Sequence, residues 1–426
     1  MQLEVFSEIG RLREVMTHRP GREVDCMPPA LMEDLLFDDI LHGPSAREEH
    51  DAFVAVLEAF GVTNHDIQTL LEEALAVDEA HTGQLISLVA QREQLRPKVE
   101  SLLRELSPTE LASALICGIA APPEEMRQDR FFSLPPVPNA LMARDPAVVL
   151  GHGLIISSMK RKAREREALL SRFIHNMHPL LTGNARYLDF QEQPEESMRY
   201  GNLSLEGGDV LLLSEGIVAV GVSERTMERS IDLLAETLRP LEPFRKLIMV
   251  RMPDSRSQMH LDTIFTRVSE NECLVYPPML MEGYAETLST VSIDLTPGSK
   301  DLGRRHRSFF GATKEAGLDL EPIPCGGSKS YIQQSREQWT DGANSFALAP
   351  GLIVLYRRND ATLEELQRYG FEVVLSREFV ADVETHRAAV EAGGKRVVVI
   401  ASSELSRARG GPRCMTMPLR RDPLAA

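Results

Sequence analysis

A cysteine follows a Gly-Gly-Pro-Arg turn near the C-terminus, in Ser406-Arg407-Ala408-Arg409-Gly410-Gly411-Pro412-Arg413-Cys414-Met415. The nearby arginines predict a thiol shifted toward the nucleophilic thiolate. Cys414 would equally serve as a small buried apolar group in a turn. Met259-His260-Leu261-Asp262-Thr263 supplies a second candidate. Read as a strand, it turns His260 and Asp262 to one face, setting an acid/base group beside a carboxylate suited to a guanidinium fork. In Leu205-Glu206-Gly207-Gly208-Asp209, two glycines follow a carboxylate. They let backbone approach a ligand, or simply turn the chain between two strands. Pro136-Val137-Pro138-Asn139-Ala140-Leu141-Met142-Ala143-Arg144-Asp145-Pro146 is a proline-stiffened loop with Asn139 and Asp145 toward its ends. Arg336-Glu337-Gln338-Trp339-Thr340-Asp341-Gly342-Ala343-Asn344 reads as a helix end and a turn before a strand, a structural element.

Together these segments supply one thiol, one imidazole and three carboxylates. Amide hydrolysis needs an oxyanion hole and at most one or two acids. Several carboxylates around a thiol suit an electrophile that is itself a cation. A guanidinium presents a planar fork of N–H donors that two carboxylates can hold in plane. The same carboxylates raise the thiol pKa, so arrival of the cation favours the thiolate.

The elements that must position these groups are legible in outline. Residues 1–65 mix short strand-like and helical pieces, with a strand over 13–18 closed by Arg19-Pro20-Gly21. Residues 66–121 hold only Gly83, Gly118, Pro97 and Pro108 as breakers, and apolar residues recur at helical spacing in Ile67, Leu70, Leu71, Ala74, Leu75 and again in Val99, Leu102, Leu103, Leu106. Ser107-Pro108-Thr109-Glu110 is a capping-box helix start. This stretch is expected to be a subdomain of several short helices. Beyond it, strands are expected at 147–150, 210–213, 217–222, 246–250, 273–276, 352–356, 371–375 and 396–401, and helices at 159–175, 224–237, 330–339 and 362–369. The alternation predicts an α/β architecture. No fixed-period repeat is visible.

The chain has 426 residues, 43% hydrophobic and 26% charged, as expected of a folded globular protein. Lys+Arg number 47 and Asp+Glu 63, a net charge of −16, which disfavours nucleic acid as a partner. No apolar run reaches the ~18 residues of a membrane span, and Met1-Gln2-Leu3-Glu4-Val5 has no signal-peptide character, so no membrane partner is expected. The 5 cysteines are widely spaced and never in CxxC, which fits a reducing cytoplasm and argues against structural zinc. His175 and His178 form an H-x-x-H that reads as helix surface.

The motif set resembles the bacterial arginine deiminases. It comprises Phe132 with Pro136, Pro138, Asn139 and Arg144-Asp145-Pro146; Glu206-Gly207-Gly208-Asp209; Gly221-Val222-Ser223-Glu224-Arg225-Thr226; Met259-His260-Leu261-Asp262-Thr263; Glu337-Gln338-Trp339 with Asp341-Gly342 and Asn344; and Gly410-Gly411-Pro412-Arg413-Cys414-Met415. With Gly10-Arg11-Leu12-Arg13-Glu14-Val15 and Leu35-Leu36-Phe37-Asp38-Asp39, it spans nearly the whole chain in the family's order. The resemblance implies a five-bladed, pseudo-symmetric α/β propeller of ββαβ modules over residues 1–65 and 131–426, with a helical bundle inserted at 66–130. It implies hydrolysis of L-arginine to L-citrulline and ammonia through a cysteine S-alkylthiouronium. Cys414 matches the nucleophile, His260 the acid/base with Glu206 beside it, and Asp145 and Asp262 the carboxylates that grip the guanidinium. Asn139, Arg164 and Arg225 match positions holding the amino-acid end, with Arg164 one of several arginines in its segment, and Arg409 matches a loop residue at the entrance. No cofactor and no metal are expected, and a homo-oligomer is. Met142 stands where an aromatic residue is usual, which would loosen packing, and Ala408 where glycine is common, which would remove backbone freedom.

Two other readings stay open at this level. One is a sister guanidine-modifying enzyme: an agmatine deiminase, a methylarginine hydrolase or an amidinotransferase. Arg164 and Arg225 argue against agmatine, which has no carboxylate. The other is a non-catalytic binding relative, although all five reacting and gripping residues are present.

Overall fold

Short-range rules set most elements of the computed structural model, which describes residues 1–127, 130–192, 203–284, 288–299 and 303–424. Residues 128–129 of the expected helical insertion at 66–130 lie outside the described residues. Within that stretch, helices run over Ile67–Leu75, Glu79–Arg92, Pro97–Glu105 and Pro108–Cys117. Asp66 caps the first by accepting from the amides of Gln68 and Thr69. The expected capping box starts the last: Ser107 Oγ accepts from the Glu110 amide, and Glu110 Oε2 accepts from the Ser107 amide. The apolar stripe is buried at Leu70, Leu71, Ala74, Leu75, Val99 and Leu103, but Leu102 is 42% exposed. The stripe of that short helix is narrower than the spacing suggests, and Leu102 falls outside it.

The expected strands form, several as continuous apolar runs buried along their whole length. Helices start a few residues later than expected at Glu165–Met177 and Glu228–Leu238, each preceded by a turn. His175 and His178 are buried, not on a surface. Nδ1 of His175 donates to the Ser171 carbonyl, and Nε2 of His178 lies 2.7 Å from Glu73 Oε2. Helix Glu165–Met177 packs against helix Ile67–Leu75: Leu70, Leu71, Leu169, Phe173 and Ile174 share one apolar cluster.

Among the described residues, five sheets repeat one pairing order. An antiparallel hairpin is followed by a strand parallel to its second member. Ala147–Leu150, Gly153–Ile156 and Ala185–Asp189 pair in this way, as do Val210–Ser214, Ile217–Val222 and Lys246–Arg251. Phe265–Arg267, Glu272–Val275 and Glu321–Pro324 follow, then Phe346–Ala349, Leu352–Tyr356 and Lys395–Ile400. The fifth joins both ends of the chain: Met417–Arg421 is antiparallel to Leu12–Thr17, which is parallel to Thr63–Asp66. The sheets stay separate and none closes on itself, so the architecture is mixed α/β with repeated topology. No helix among the described residues is long and apolar enough to cross a membrane.

Ser107→Ala removes one half of the capping box. It is expected to lower unfolding free energy by about 1 kcal/mol in a denaturant titration, with the far-ultraviolet spectrum at zero denaturant unchanged.

Candidate active site

The loops leading into the hairpins converge on one small cavity. Its walls include Asn139, Asp145, Arg164, Arg225, His260, Arg409 and Cys414, and it encloses about 20 Å³. That is room for roughly one water. Glu206 and Asp262, fully buried, back this wall.

Glu206 is fixed by three contacts. Its amide donates to Thr226 Oγ1, its Oε1 accepts from the Lys160 amide at 3.0 Å, and its Oε2 lies 2.8 Å from His260 Nε2. The second ring nitrogen, Nδ1, faces Asp145 Oδ1 at 3.7 Å, too far for a hydrogen bond. Burial opposes a charged imidazole. Asp145, Glu206 and Asp209 outweigh it, and His260 is pushed up to about 9. Burial likewise opposes the Glu206 carboxylate, but Arg225, His260 and Arg164 hold it low. The segment around His260 is not the expected strand. His260 precedes a tight helical turn, Leu261–Thr263, because Asp209 Oδ1 accepts from the Leu261 amide at 2.9 Å and breaks the alternation. Ser223 Oγ in turn donates to Asp209 Oδ2.

Asp262 points toward the thiol: Cys414 Sγ lies 3.6 Å from its Oδ2, which also accepts from Arg413 Nη1 at 2.7 Å. The expected lowering of the thiol pKa by arginines does not occur. Burial, Asp262, Asp145 and Asp341 hold it well above its usual range, and Arg413, the main opposing group, is also committed to Glu8. The carboxylate effect expected from composition therefore outweighs the arginine effect.

Arg164 is the arginine of its segment that reaches the cavity. Arg161 pairs with Glu224, and Arg166 with Glu93 and two backbone carbonyls. Arg164 is already engaged: Nη1 donates to Asp145 Oδ2 at 2.7 Å, and Nε and Nη2 to Glu167 Oε2 at 3.1 and 2.8 Å. Asn139 Nδ2 donates to the Leu35 carbonyl. Arg225, by contrast, keeps Nε and Nη1 buried without a hydrogen-bond partner, as Arg409 does. The Arg409 guanidinium stacks 3.4 Å above the Trp339 ring and donates from Nη2 to the Ser257 carbonyl. Asp145 Oδ1 and Asp262 Oδ1 are also buried without a donor. Asp145, Glu206 and His260 bring possible metal-ligand atoms within 4.8 Å of one another. Arg164 Nη1, 2.7 Å from Asp145 and 3.7 Å from Glu206, already supplies positive charge to that group.

The two departures fit the local structure. Ala408 lies in the helical turn Leu405–Ala408 and needs no glycine freedom. The left-handed residue is Arg409, at φ 61°. Met142 fills the space that the missing side chain of Gly410 leaves, so packing there is tight. The residues that sequence reasoning passed over are Asp209, Glu167, Arg413 and Asn344. Asp209, Arg413 and Asn344 sit inside the quoted motifs, which is the one signal they carried.

A Cβ on Gly208 would stand 2.6 Å from His260 Nδ1 and 2.8 Å from Asp145 Oδ1. Gly208→Ala is therefore expected to lower turnover by about 10-fold or more, given the sensitivity of such sites to displacements of about 1 Å, with a near-native melting temperature. Glu206→Gln is expected to bring the His260 titration down from about 9 toward its ordinary value in an NMR pH series.

A family model for arginine deiminase matches residues 33–421. Arginine deiminases of Listeria monocytogenes and Clostridium perfringens are 35% and 34% identical, each over 99% of this chain and 98% of their own. That of Borrelia duttonii is 33% identical over the same shares. Among solved structures, an amidinotransferase of Microseira wollei from the saxitoxin biosynthetic pathway superposes with a TM-score of 0.52 at 14% identity, over 99% of this chain and 98% of that one. A Pseudomonas aeruginosa dimethylarginine dimethylaminohydrolase in complex with citrulline gives 0.50 at 13%, over 96% and 99%. These two speak for the α/β fold. The full-length sequence matches go further: the chain belongs to the arginine deiminase family.

Proposed function

We propose that this chain hydrolyses L-arginine to L-citrulline and ammonia in arginine catabolism, at the cavity walled by Cys414, His260, Asp145 and Arg225. The observation that carries this reading is the pair of buried oxygens without donors, Asp145 Oδ1 and Asp262 Oδ1, on carboxylates that both act on one thiol. A planar cation with N–H donors on two edges satisfies both. Arg225 Nε and Nη1 need acceptors, and an α-carboxylate supplies them. Agmatine lacks that group, which favours arginine. The resemblance puts Asn139 and Arg164 at the amino-acid end as well, where substrate would have to replace their bonds to the Leu35 carbonyl and to Asp145 and Glu167, and it puts Arg409 at the entrance. The enclosed space of about 20 Å³ is smaller than arginine, so in this reading the wall, which includes Leu36 and Arg409, has to open for substrate.

In this reading Asp145 and Asp262 hold the guanidinium flat. Its positive charge offsets the carboxylates that keep the thiol protonated, and Cys414 gives its proton to water and becomes a thiolate. The sulfur attacks the central carbon, forming a C–S bond. His260, protonated and braced by Glu206, gives its proton to the departing nitrogen, and the C–N bond breaks to release ammonia. An S-alkylthiouronium remains. The now neutral His260 takes a proton from water, whose oxygen bonds to the same carbon. Collapse breaks the C–S bond, the hydroxyl proton of the intermediate passes to the sulfur, and citrulline leaves with Cys414 again a thiol and His260 again protonated. Acid/base help of this kind is worth about 10²–10⁴-fold.

We further infer that the five ββαβ units form a propeller around this cavity over residues 1–65 and 131–426, with 66–130 inserted. The repeated pairing order and the convergence of the lead-in loops support it. Cytoplasmic residence is supported by five cysteines that form no disulfide. A homo-oligomer rests on the family resemblance, and light scattering of the purified protein tests it.

Purified protein incubated with L-arginine is expected to yield citrulline and ammonia in equal amounts, with Cys414→Ala yielding neither. Product from agmatine or methylated arginines instead would overturn the reading in favour of a sister enzyme. Because His260 keeps its proton up to about 9 and acts as donor, kcat/KM is expected to fall above that pH as the proton is lost.

A further inference from the structure

Every reacting or gripping group sits in the segment that leads into the first strand of a hairpin. Asp145 precedes Ala147–Leu150, Glu206 precedes Val210–Ser214, His260 and Asp262 precede Phe265–Arg267, and Cys414 precedes Met417–Arg421. Phe346–Ala349 has the same lead-in, and there the buried polar residue is Asn344. That turn, read from sequence as purely structural, is thus placed like the four segments that carry the chemistry.

Asn344 is fully buried, and both ends of its amide are used. Oδ1 accepts from the Cys414 amide at 3.1 Å, and Nδ2 donates to the Asp262 carbonyl at 2.9 Å. One planar group therefore ties the backbone of the thiol to the backbone of the carboxylate beside it. The fit is close: a Cβ on Gly411 would stand 2.7 Å from Asn344 Oδ1. The Asn344 anchor is itself rigid. Its amide donates to the Asp341 carbonyl, and the Gly342 amide donates to the Glu337 carbonyl at 2.7 Å. Thr340 and Asn359 are joined by two hydrogen bonds. Glu337 accepts from the amides of Ala361 and Thr362, bolting the turn to the start of helix Asp360–Arg368.

We propose that Asn344 is a positioning residue for the cysteine chemistry, setting Cys414 and Asp262 in register so that the sulfur meets the guanidinium carbon that Asp262 helps hold. This deepens the proposed function and rests on it. The role needs a donor and an acceptor on one short side chain. Alanine has neither. An ionised aspartate keeps the acceptor for Cys414, loses the donor for Asp262, and adds a negative charge beside a thiol already held high by carboxylates.

The test compares wild type, Asn344→Ala and Asn344→Asp for kcat and KM on L-arginine, for melting temperature, and for the rate of covalent adduct formation on Cys414 by acid quench and mass spectrometry. Asn344→Ala is expected to lose about 10²-fold in kcat and in adduct formation while KM stays within about threefold, since binding is kept and alignment is lost. Asn344→Asp, close to isosteric, is expected to move the acidic limb of kcat/KM to higher pH. It carries the test if the alanine variant does not fold. Asn344→Ala with kcat within about twofold of wild type, or Asn344→Asp with an unmoved pH profile, would overturn the proposal while wild type still makes citrulline. A wild type that makes none sinks the underlying reading instead.

Discussion

Burying carboxylates beside a thiol is unfavourable unless positive charge is buried with them. Asp145, Glu206, Glu167 and Asp262 are all nearly solvent-free, and each has a cationic partner: Arg164 for Asp145 and Glu167, His260 and Arg225 near Glu206, and Arg413 for Asp262. This compensation governs the rest of the centre. It keeps His260 protonated and Glu206 ionised. One oxygen on each of Asp145 and Asp262 still lacks a donor after this pairing, and in the proposed reaction the substrate guanidinium would meet both.

Such a cluster holds its geometry only if the backbone around it is fixed from several directions. Each converging loop is short and leads directly into a strand. Gly207 donates its amide to the Asp145 carbonyl, Arg144 its amide to the Cys414 carbonyl, and Asn344 its side chain to the Asp262 carbonyl. These bonds run between sheets rather than within them. With the Cys414 amide donating to Asn344 Oδ1, they link five separate sheets into one frame for the cavity, and glycines at 207, 208 and 411 allow the close approach.

What was legible in the sequence follows from range. Strands such as Leu352–Tyr356 read as apolar runs, and the Ser107 cap as a local pattern, because their causes lie within a few residues. The residues proposed to react were picked out through motifs, and the structure brings them to one cavity. Their partners were not: Asp209 grips Leu261 from 52 residues away, and Asn344 meets Cys414 across 70. The same long-range grip by Asp209 defeated the strand expected at His260. His175 and His178 were misjudged for a related reason, since burial by a helix inserted elsewhere leaves no local trace. The repeated pairing order left no sequence repeat because a buried hairpin demands only apolar, β-branched runs, which many sequences satisfy.

The fifth sheet joins the two ends of the chain. Arg13 and Asp422, bonded at its edge, are 409 residues apart, and the Cys414 segment hangs from the same late strand. Contacts of such separation carry the largest loop-closure entropy and form late in folding. The carboxylates and the imidazole belong to sheets closed over much shorter spans, so of these groups only Cys414 hangs from a sheet that needs both ends of the chain in place.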